Sequence, residues 1–315
     1  MSRRKVRFFF CLLLLGMLIF EGRGKRLVIA ATPLVLDQPA PPATRSYAVP
    51  EAPPLVDWPT PERLLYRYGA AVPKDQPRAY YDPAFDLAML RLRPTILASA
   101  SRHNRPAVTG MSDEDFAVVL AAQLYFEYNS ALATRGDLMR SVTPIYQEAQ
   151  NVANQLGVGD FSVWPANIRP SVALSLLRGD MPFINRLDEP DYRRYPLEIA
   201  GSALQTEMRE RRLERWEPSA SAVAAEIARP GLAVEYMAAN FEIASRRAEF
   251  DWTPVTWMTL SAWHNQGIVD PAGIAQHPQL ARTLPGVAVY LPGALALIYA
   301  PPQPLPALVR APLAR

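Results

Sequence analysis

Glu127 is the residue of this sequence whose chemical type and position point most directly to catalysis. It stands near the end of a segment in which Phe116, Leu120 and Leu124 recur at helical spacing, so the pattern places all of them on one apolar helix face. A carboxylate on such a face is costly unless it is paired or protonated, and a protonated buried carboxyl group can act as a general acid. The alternative is a helix-end glutamate that turns into solvent.

Two later segments carry further polar and aromatic residues. The first is the loop Ser162–Ala173, and the second is a helix end that runs from Ser261 to Gly267. A helix that contains Tyr236-Met237-Ala238-Ala239-Asn240-Phe241 precedes the second segment. The candidate contact residues in the two segments are Ser162, Trp164, Asn167, His264 and Asn265.

This order of motifs resembles the lysozyme-like superfamily, in particular the soluble lytic transglycosylases and goose-type lysozymes. In those proteins a catalytic glutamate ends a helix, a loop with a glutamine follows, and a later helix carries Ala-Tyr-Asn-x-Gly. The likeness covers about residues 110–270. This chain has Asn167 at the loop glutamine, Trp164 at the loop glycine and either His264 or Trp263 at the later tyrosine.

The resemblance implies a mainly α, lysozyme-like helical domain with a glycan-binding cleft, which acts on the glycan strands of peptidoglycan. It implies a lytic transglycosylase in which Glu127 is first the acid and then the base, with no metal or other cofactor. Asn265 would supply an amide to the substrate, and Ser162 and Asn167 would line the cleft. Two alternatives stay open: a catalytically degenerate module that binds glycan or a wall-associated partner, and a hydrolytic muramidase of the same fold.

A hydrolase usually needs a second carboxylate about 5 to 9.5 Å from the acid. The sequence offers four candidates, none of them in a recognisable motif: Asp137, Glu148, Asp160 and Asp180. Lytic transglycosylases avoid this requirement, because the substrate's own N-acetyl group assists a single glutamate.

Each candidate contact residue also has a purely structural interpretation. Asn167 fits a turn, Asn265 fits a helix C-terminus before Gly267, and a lone histidine such as His264 is commonly a packing residue. Trp164 is suited equally to sugar stacking and to packing in the core.

The N-terminus has the pattern of an export signal. A basic stretch from Arg3 to Arg7 precedes the apolar run Phe8–Phe20, which is shorter than the roughly 20 residues of a membrane-spanning helix. Cleavage near residue 31 and retention as a membrane anchor are both compatible with this pattern. We therefore expect an extracytoplasmic or cell-envelope protein, either secreted or anchored.

Charge and cysteine content narrow the function classes. Residues 1–26 hold seven basic side chains and one acidic side chain, which gives this segment a charge of +6. Because the net charge of the whole chain is +3, the remainder carries −3. This distribution gives no reason to expect a nucleic-acid partner. The single cysteine, Cys11, lies in the apolar run, so the rest of the chain has no disulfide or cysteine metal site.

The remaining pattern predicts one helical domain over residues 80–300, between a Pro-rich linker at residues 32–62 and a Pro-rich tail at residues 301–315. The expected helices are Pro61–Gly69, Pro83–Ala100, Ser112–Thr134, Val142–Leu156, Ser171–Arg178, Pro196–Trp216, Ser219–Ala228, Gly231–Arg247 and a last one capped by Thr253. The pattern of Val287–Tyr290 and Ala294–Tyr299 fits either a short strand or a helical turn. No dinucleotide-binding loop, zinc-peptidase motif or hydrolase nucleophile elbow is present.

Overall fold

The computed structural model describes residues 79–134, 147–154, 156, 159–184, 190–211, 217–250, 255–268 and 279–299. The mainly α class expected from the sequence is confirmed for these residues. The named elements are α1 Pro83–His103, α2 Pro106–Thr109, α3 Asp113–Thr134, α4 Pro170–Arg178, β1 Asp180–Ile184, β2 Pro190–Arg194, α5 Ala203–Glu210, α6 Ala220–Ile227, α7 Pro230–Phe250, α8 Trp257–Gln266, α9 Leu280–Ala288 and α10 Leu291–Tyr299. Residues 147–154 are also helical.

Helix α3, which carries Glu127, is the central helix of the fold. The predicted N-cap is confirmed, because the Ser112 hydroxyl accepts from the Asp115 N–H at 3.0 Å. The face that carries Phe116, Leu120 and Leu124 is buried, but so are the others: from Phe116 to Phe126 every side chain is buried. The helix packs against α1, α7, α8, α9 and α10, which together surround it. The burial of Glu127 therefore does not distinguish its helix face from the other faces of α3.

Helix α1 begins and ends close to the predicted positions. Asp82 caps it by accepting from the Phe85 N–H at 2.9 Å, and Pro83 occupies the first turn, where its missing N–H costs nothing. The helix continues through Pro94 to His103. It therefore places His103 in the core, opposite α7.

Three element predictions are wrong. No helix begins at Pro196: residues 195–200 are irregular, Gly201 has a φ of 78°, and α5 starts only after Ser202, whose hydroxyl accepts from Gln205 N–H. The last cap is Thr256 rather than Thr253. The antiparallel pair β1 and β2 was not predicted, because Pro182 and Pro190 disfavour a strand assignment.

The open assignment near the C-terminus resolves to helix. Val287 lies in α9 and Ala294–Tyr299 in α10, and both helices pack on α3. Among the described residues one stretch, Arg282–Tyr299, is long and apolar enough to cross a membrane by length and composition. Half of it is buried within the protein.

The predicted export signal, Pro-rich linker, Pro61–Gly69 helix and Pro-rich tail lie outside the described residues. The described residues all belong to the unit Val49–Arg315. Their buried side chains form one core, to which both ends of the described chain contribute through Phe85 and Ile298.

Candidate active site

Glu127 is buried and both of its carboxylate oxygens accept hydrogen bonds from side-chain amides. Its exposed fraction is 7%. Gln123, one helical turn earlier, donates from Nε2 to Oε1 at 2.7 Å. Asn167 donates from Nδ2 to Oε2 at 2.6 Å. These two amides compensate the desolvation of the carboxyl group without adding a charge.

A short closed loop brings Asn167 to Glu127. Val163 N–H donates to Ile168 O at 2.8 Å, so the loop is pinned at its base, and the Trp164-Pro165 peptide bond within it is cis. Asn167 has a φ of 53°, a left-handed conformation that asparagine tolerates better than most residues. The predicted turn role and the predicted cleft role of Asn167 are thus not exclusive, since the turn conformation directs its amide to Glu127.

His264 joins the same group from helix α8. Its side chain is 2% exposed, and its Nε2 lies 2.9 Å from the carbonyl oxygen of Ala166, the residue before Asn167. Nε2 is also 3.9 Å from Glu127 Oε1, which is too far for a hydrogen bond. Burial lowers the pKa of His264, against the opposing effects of the Glu127 charge and the Ala166 carbonyl.

On its other side, the His264 ring meets helix α7. Asn240 Nδ2 lies 3.3 Å from His264 Nδ1, and the Phe241 ring packs edge-on against the imidazole. Asn240, Gln123 and Ala166 were not predicted as site residues. Gln123 stands four residues before Glu127 and Asn240 lies in the helix motif already noted, so spacing was the available signal for both.

The site thus joins segments that lie far apart in the chain. Comparison with protein-family models, with curated proteins and with solved structures finds no match for this sequence. The arguments for a function therefore come from the chain's own geometry.

Trp164 is half-buried and packs against aromatic neighbours beside the site. Its ring lies 4.1 Å from the ring of Tyr128, the residue after Glu127, and Tyr128 stacks on Phe85 at 3.7 Å. These three residues line an open groove of about 190 Å³ together with Ala84, Ala88, Leu92, Pro165, Ala228 and Pro230. Within the described residues, Trp164 Nε1 has no hydrogen-bond partner. Trp164 therefore packs beside the groove, and its unpartnered Nε1 is buried.

The other two predicted contact residues are not joined to Glu127. Ser162 is half-buried at the base of the loop, and Asn265 is exposed at the position after His264. Helix α8 therefore presents His264 to the carboxyl group, rather than the asparagine that the motif singled out. No hydrogen bond among the described residues links Ser162 or Asn265 to the site.

The candidate second carboxylates lie in other interactions, where the structure describes them. Asp160 accepts from the backbone N–H and the hydroxyl of Ser171 at the start of α4. Asp180 lies beside Arg178 and Arg194, and Glu148 is exposed. Asp137 lies outside the described residues. In the described part of the chain, no group of three histidine, cysteine or acidic residues is arranged to hold a metal ion.

Proposed function

We propose that this chain is an exported enzyme that cleaves the glycan strand of peptidoglycan, with Glu127 as a single acid and base. The observation that carries the proposal is the meeting of Glu127 with Asn167 and His264. These residues come from the three segments whose order resembles the lytic transglycosylases. Asn167 donates to Glu127 across 40 positions of sequence, and His264 bonds to the Ala166 carbonyl across 98 positions. Chance packing gives no reason for these three segments in particular to converge.

In the proposed reaction, protonated Glu127 gives its proton to the glycosidic oxygen as the bond from that oxygen to C1 breaks. The substrate's N-acetyl oxygen stabilises the positive charge that develops at C1. The Glu127 carboxylate then takes the proton of the sugar's own 6-hydroxyl as that oxygen attacks C1. The products are a 1,6-anhydro sugar and a new free chain end, and Glu127 is again protonated.

A single carboxyl group suits the surroundings of Glu127. Its described hydrogen-bond partners are amides, and Asp160 and Asp180 belong to other interactions. An inverting or retaining hydrolase needs a second carboxylate across the bond that is cleaved. A transglycosylase, which the N-acetyl group assists, needs only one.

The groove beside Trp164 supports binding of a sugar. An indole ring offers an apolar face to the C–H groups of a sugar. Tyr128, which lines the groove, is the residue after Glu127 in α3. The segments of basic and apolar residues at the N-terminus support export to the compartment where peptidoglycan lies.

The enclosure of Glu127 favours a second candidate, a module that binds glycan without cleaving it. Amides donate to both carboxylate oxygens, and the residue is 7% exposed. Before Glu127 can give a proton to the substrate, it must lose one of these two hydrogen bonds. If the hydrogen bond from Asn167 to Glu127 never breaks, the role of Glu127 is only to hold the loop in place.

Incubation of the full chain with purified sacculi tests the proposal. Mass spectrometry of the soluble products separates the mechanisms, because anhydro ends indicate transglycosylation and reducing ends indicate hydrolysis. Glu127→Gln should abolish release while keeping the side-chain volume, and Glu198→Gln, at an exposed glutamate, should not. Binding to sacculi with no fragments released by the unmodified protein would favour the binding module, and unimpaired release by Glu127→Gln would rule out Glu127 as the acid.

A further inference from the structure

Helix α7 packs against two buried histidines and presents different chemistry to each. His103, from α1, lies 3.1 Å from Glu235 Oε1 and 2.9 Å from Glu242 Oε2. His264, from α8, meets the amide of Asn240 instead. Both imidazoles are almost fully enclosed, with exposed fractions of 1% and 2%. The main chemical difference between the two sites is therefore that α7 supplies carboxylates to His103 and an amide to His264.

The contacts of His264 determine where its proton lies. The Ala166 carbonyl oxygen can only accept, so Nε2, at 2.9 Å from it, carries the hydrogen. In a neutral imidazole the other nitrogen is then an acceptor. Asn240 presents its Nδ2 donor to that nitrogen at 3.3 Å, which matches the Nε2–H form.

We propose that Asn240 is a positioning residue that keeps His264 uncharged, with its proton on Nε2, beside Glu127. In this form His264 holds the Ala166 carbonyl and thereby the neighbouring Asn167 on the carboxyl group. The consequence for catalysis rests on the proposed function, whereas the tautomer and charge of His264 do not.

Few charged groups face His264. Helix α3 contributes Glu127, α7 contributes the neutral Asn240 and Phe241, and the loop contributes the Ala166 carbonyl. Helix α9 also packs on α8, and its single titratable side chain, Arg282, is exposed. Among the described residues, an acid at position 240 would therefore be the second carboxylate beside this ring.

The charge of His264 has a direct consequence for Glu127. An imidazolium 3.9 Å from Oε1 would stabilise the carboxylate and oppose the protonated state that a general acid requires. A neutral ring places no cation beside Glu127, and still holds the loop. An amide at position 240 supplies this neutral state, and a carboxylate would remove it.

Nitrogen-15 NMR of the histidine side chains in the full chain tests the inference. The sequence has three histidines, so single His→Gln variants assign every signal. In the unmodified protein at pH 7 we expect His264 to be neutral and protonated on Nε2. Asn240→Asp should raise the pKa of His264 by about 1 to 3 pH units, as expected for a carboxylate within 4–6 Å. The mirror variant Glu242→Gln should lower the pKa of His103.

A charged His264 or a proton on Nδ1 in the unmodified protein overturns the inference, and so does an unchanged His264 titration in a folded Asn240→Asp variant. The spectrum of the unmodified protein decides the matter even if the variants do not fold. If sacculi are cleaved, Asn240→Asp should move the alkaline limb of the pH–kcat profile to lower pH with little change in KM. A purely structural loss would lower activity without moving that limb. Absence of cleavage by the unmodified protein counts against the proposed enzyme, while the NMR result still decides the role of Asn240.

Discussion

Asn167 donates to Glu127 across 40 residues of sequence, with its Nδ2 2.6 Å from Oε2. This contact depends on the left-handed backbone of Asn167, because the loop must turn there for the amide to face α3. The loop is also fixed from behind, where His264 holds the carbonyl of Ala166. Backbone conformation, one imidazole and one amide therefore act together on a single carboxyl group.

Two substitutions at Asn167 separate the amide from the backbone. Asn167→Gly removes the amide and keeps the positive φ without strain, and we expect a loss of about 1–3 kcal/mol because a buried acceptor loses its donor. Asn167→Ala should cost about 1–2 kcal/mol more, because alanine resists the left-handed conformation. Urea unfolding measures both. Equal stabilities for the two variants would show that the φ of 53° is not maintained in solution.

Trp164 offers a test of the groove. Replacement by alanine removes the ring that packs on Tyr128 and Phe85, and each aromatic contact is worth about 0.5–1.5 kcal/mol. We expect Trp164→Ala to weaken binding to soluble peptidoglycan fragments about tenfold or more, and Trp164→Phe to weaken it less. Phe161→Ala is the control, because Phe161 is an exposed aromatic residue of the same loop region that does not line the groove. Titration calorimetry gives the three affinities, and equal losses in all of them would exclude the groove as the binding surface.

Gly286 tests how closely α9 must approach α3. A Cβ atom there would overlap the ring of Phe126, the residue before Glu127 and itself buried. Gly286→Ala should therefore destabilise the protein by about 1–3 kcal/mol through overpacking. Gly231→Ala is the matched control, since the nearest atom to a Cβ there is Thr95 Cγ2 at 4.0 Å and alanine favours a helix more than glycine does. A lower thermal midpoint in both variants would mean that the effect is not specific to the α3–α9 contact.

The sequence was sufficient for most helices, and the reasons are local. It also named Asn167 and His264 as candidate site residues, of which Asn167 bonds to Glu127. Ser112 and Gly267 mark helix ends by their own hydrogen-bonding and backbone properties, so the periodic pattern between such signals locates the helices. The burial of α3 on every side was not visible, because its small and apolar residues fit either one or several packing partners. The partners of His264 were hidden for a related reason: which residue of α8 faces Glu127 depends on how α8 lies against α7 and α3. A rotation of α8 about its axis by one residue would turn Asn265 toward Glu127 in place of His264.

His103 makes the stability of the fold depend on pH. Burial opposes its charge, but hydrogen bonds to Glu235 and Glu242 outweigh this effect and raise the pKa of His103. Burial likewise opposes the Glu235 charge, while His103, Ser99 and the Ala200 N–H lower the pKa of Glu235 to about 2. A histidine with a raised folded-state pKa contributes stability that is complete below its unfolded value of about 6.5 and is lost as pH rises through the folded value.

The contribution of His103 should therefore shrink on the alkaline side. We expect His103→Gln to destabilise the protein by about 1–3 kcal/mol at pH 6, because two buried carboxylates lose a charged donor while Arg102 and Arg246 still pair with them, and by less at pH 9. Arg105→Gln is the control, since its pair with Glu249 is partly exposed and should be worth under about 1 kcal/mol at both pH values. Urea unfolding at the two pH values gives the four differences. A His103→Gln effect that is constant with pH would mean that folding does not shift the pKa of His103, and that the charge of the ring does not stabilise the contact between α1 and α7.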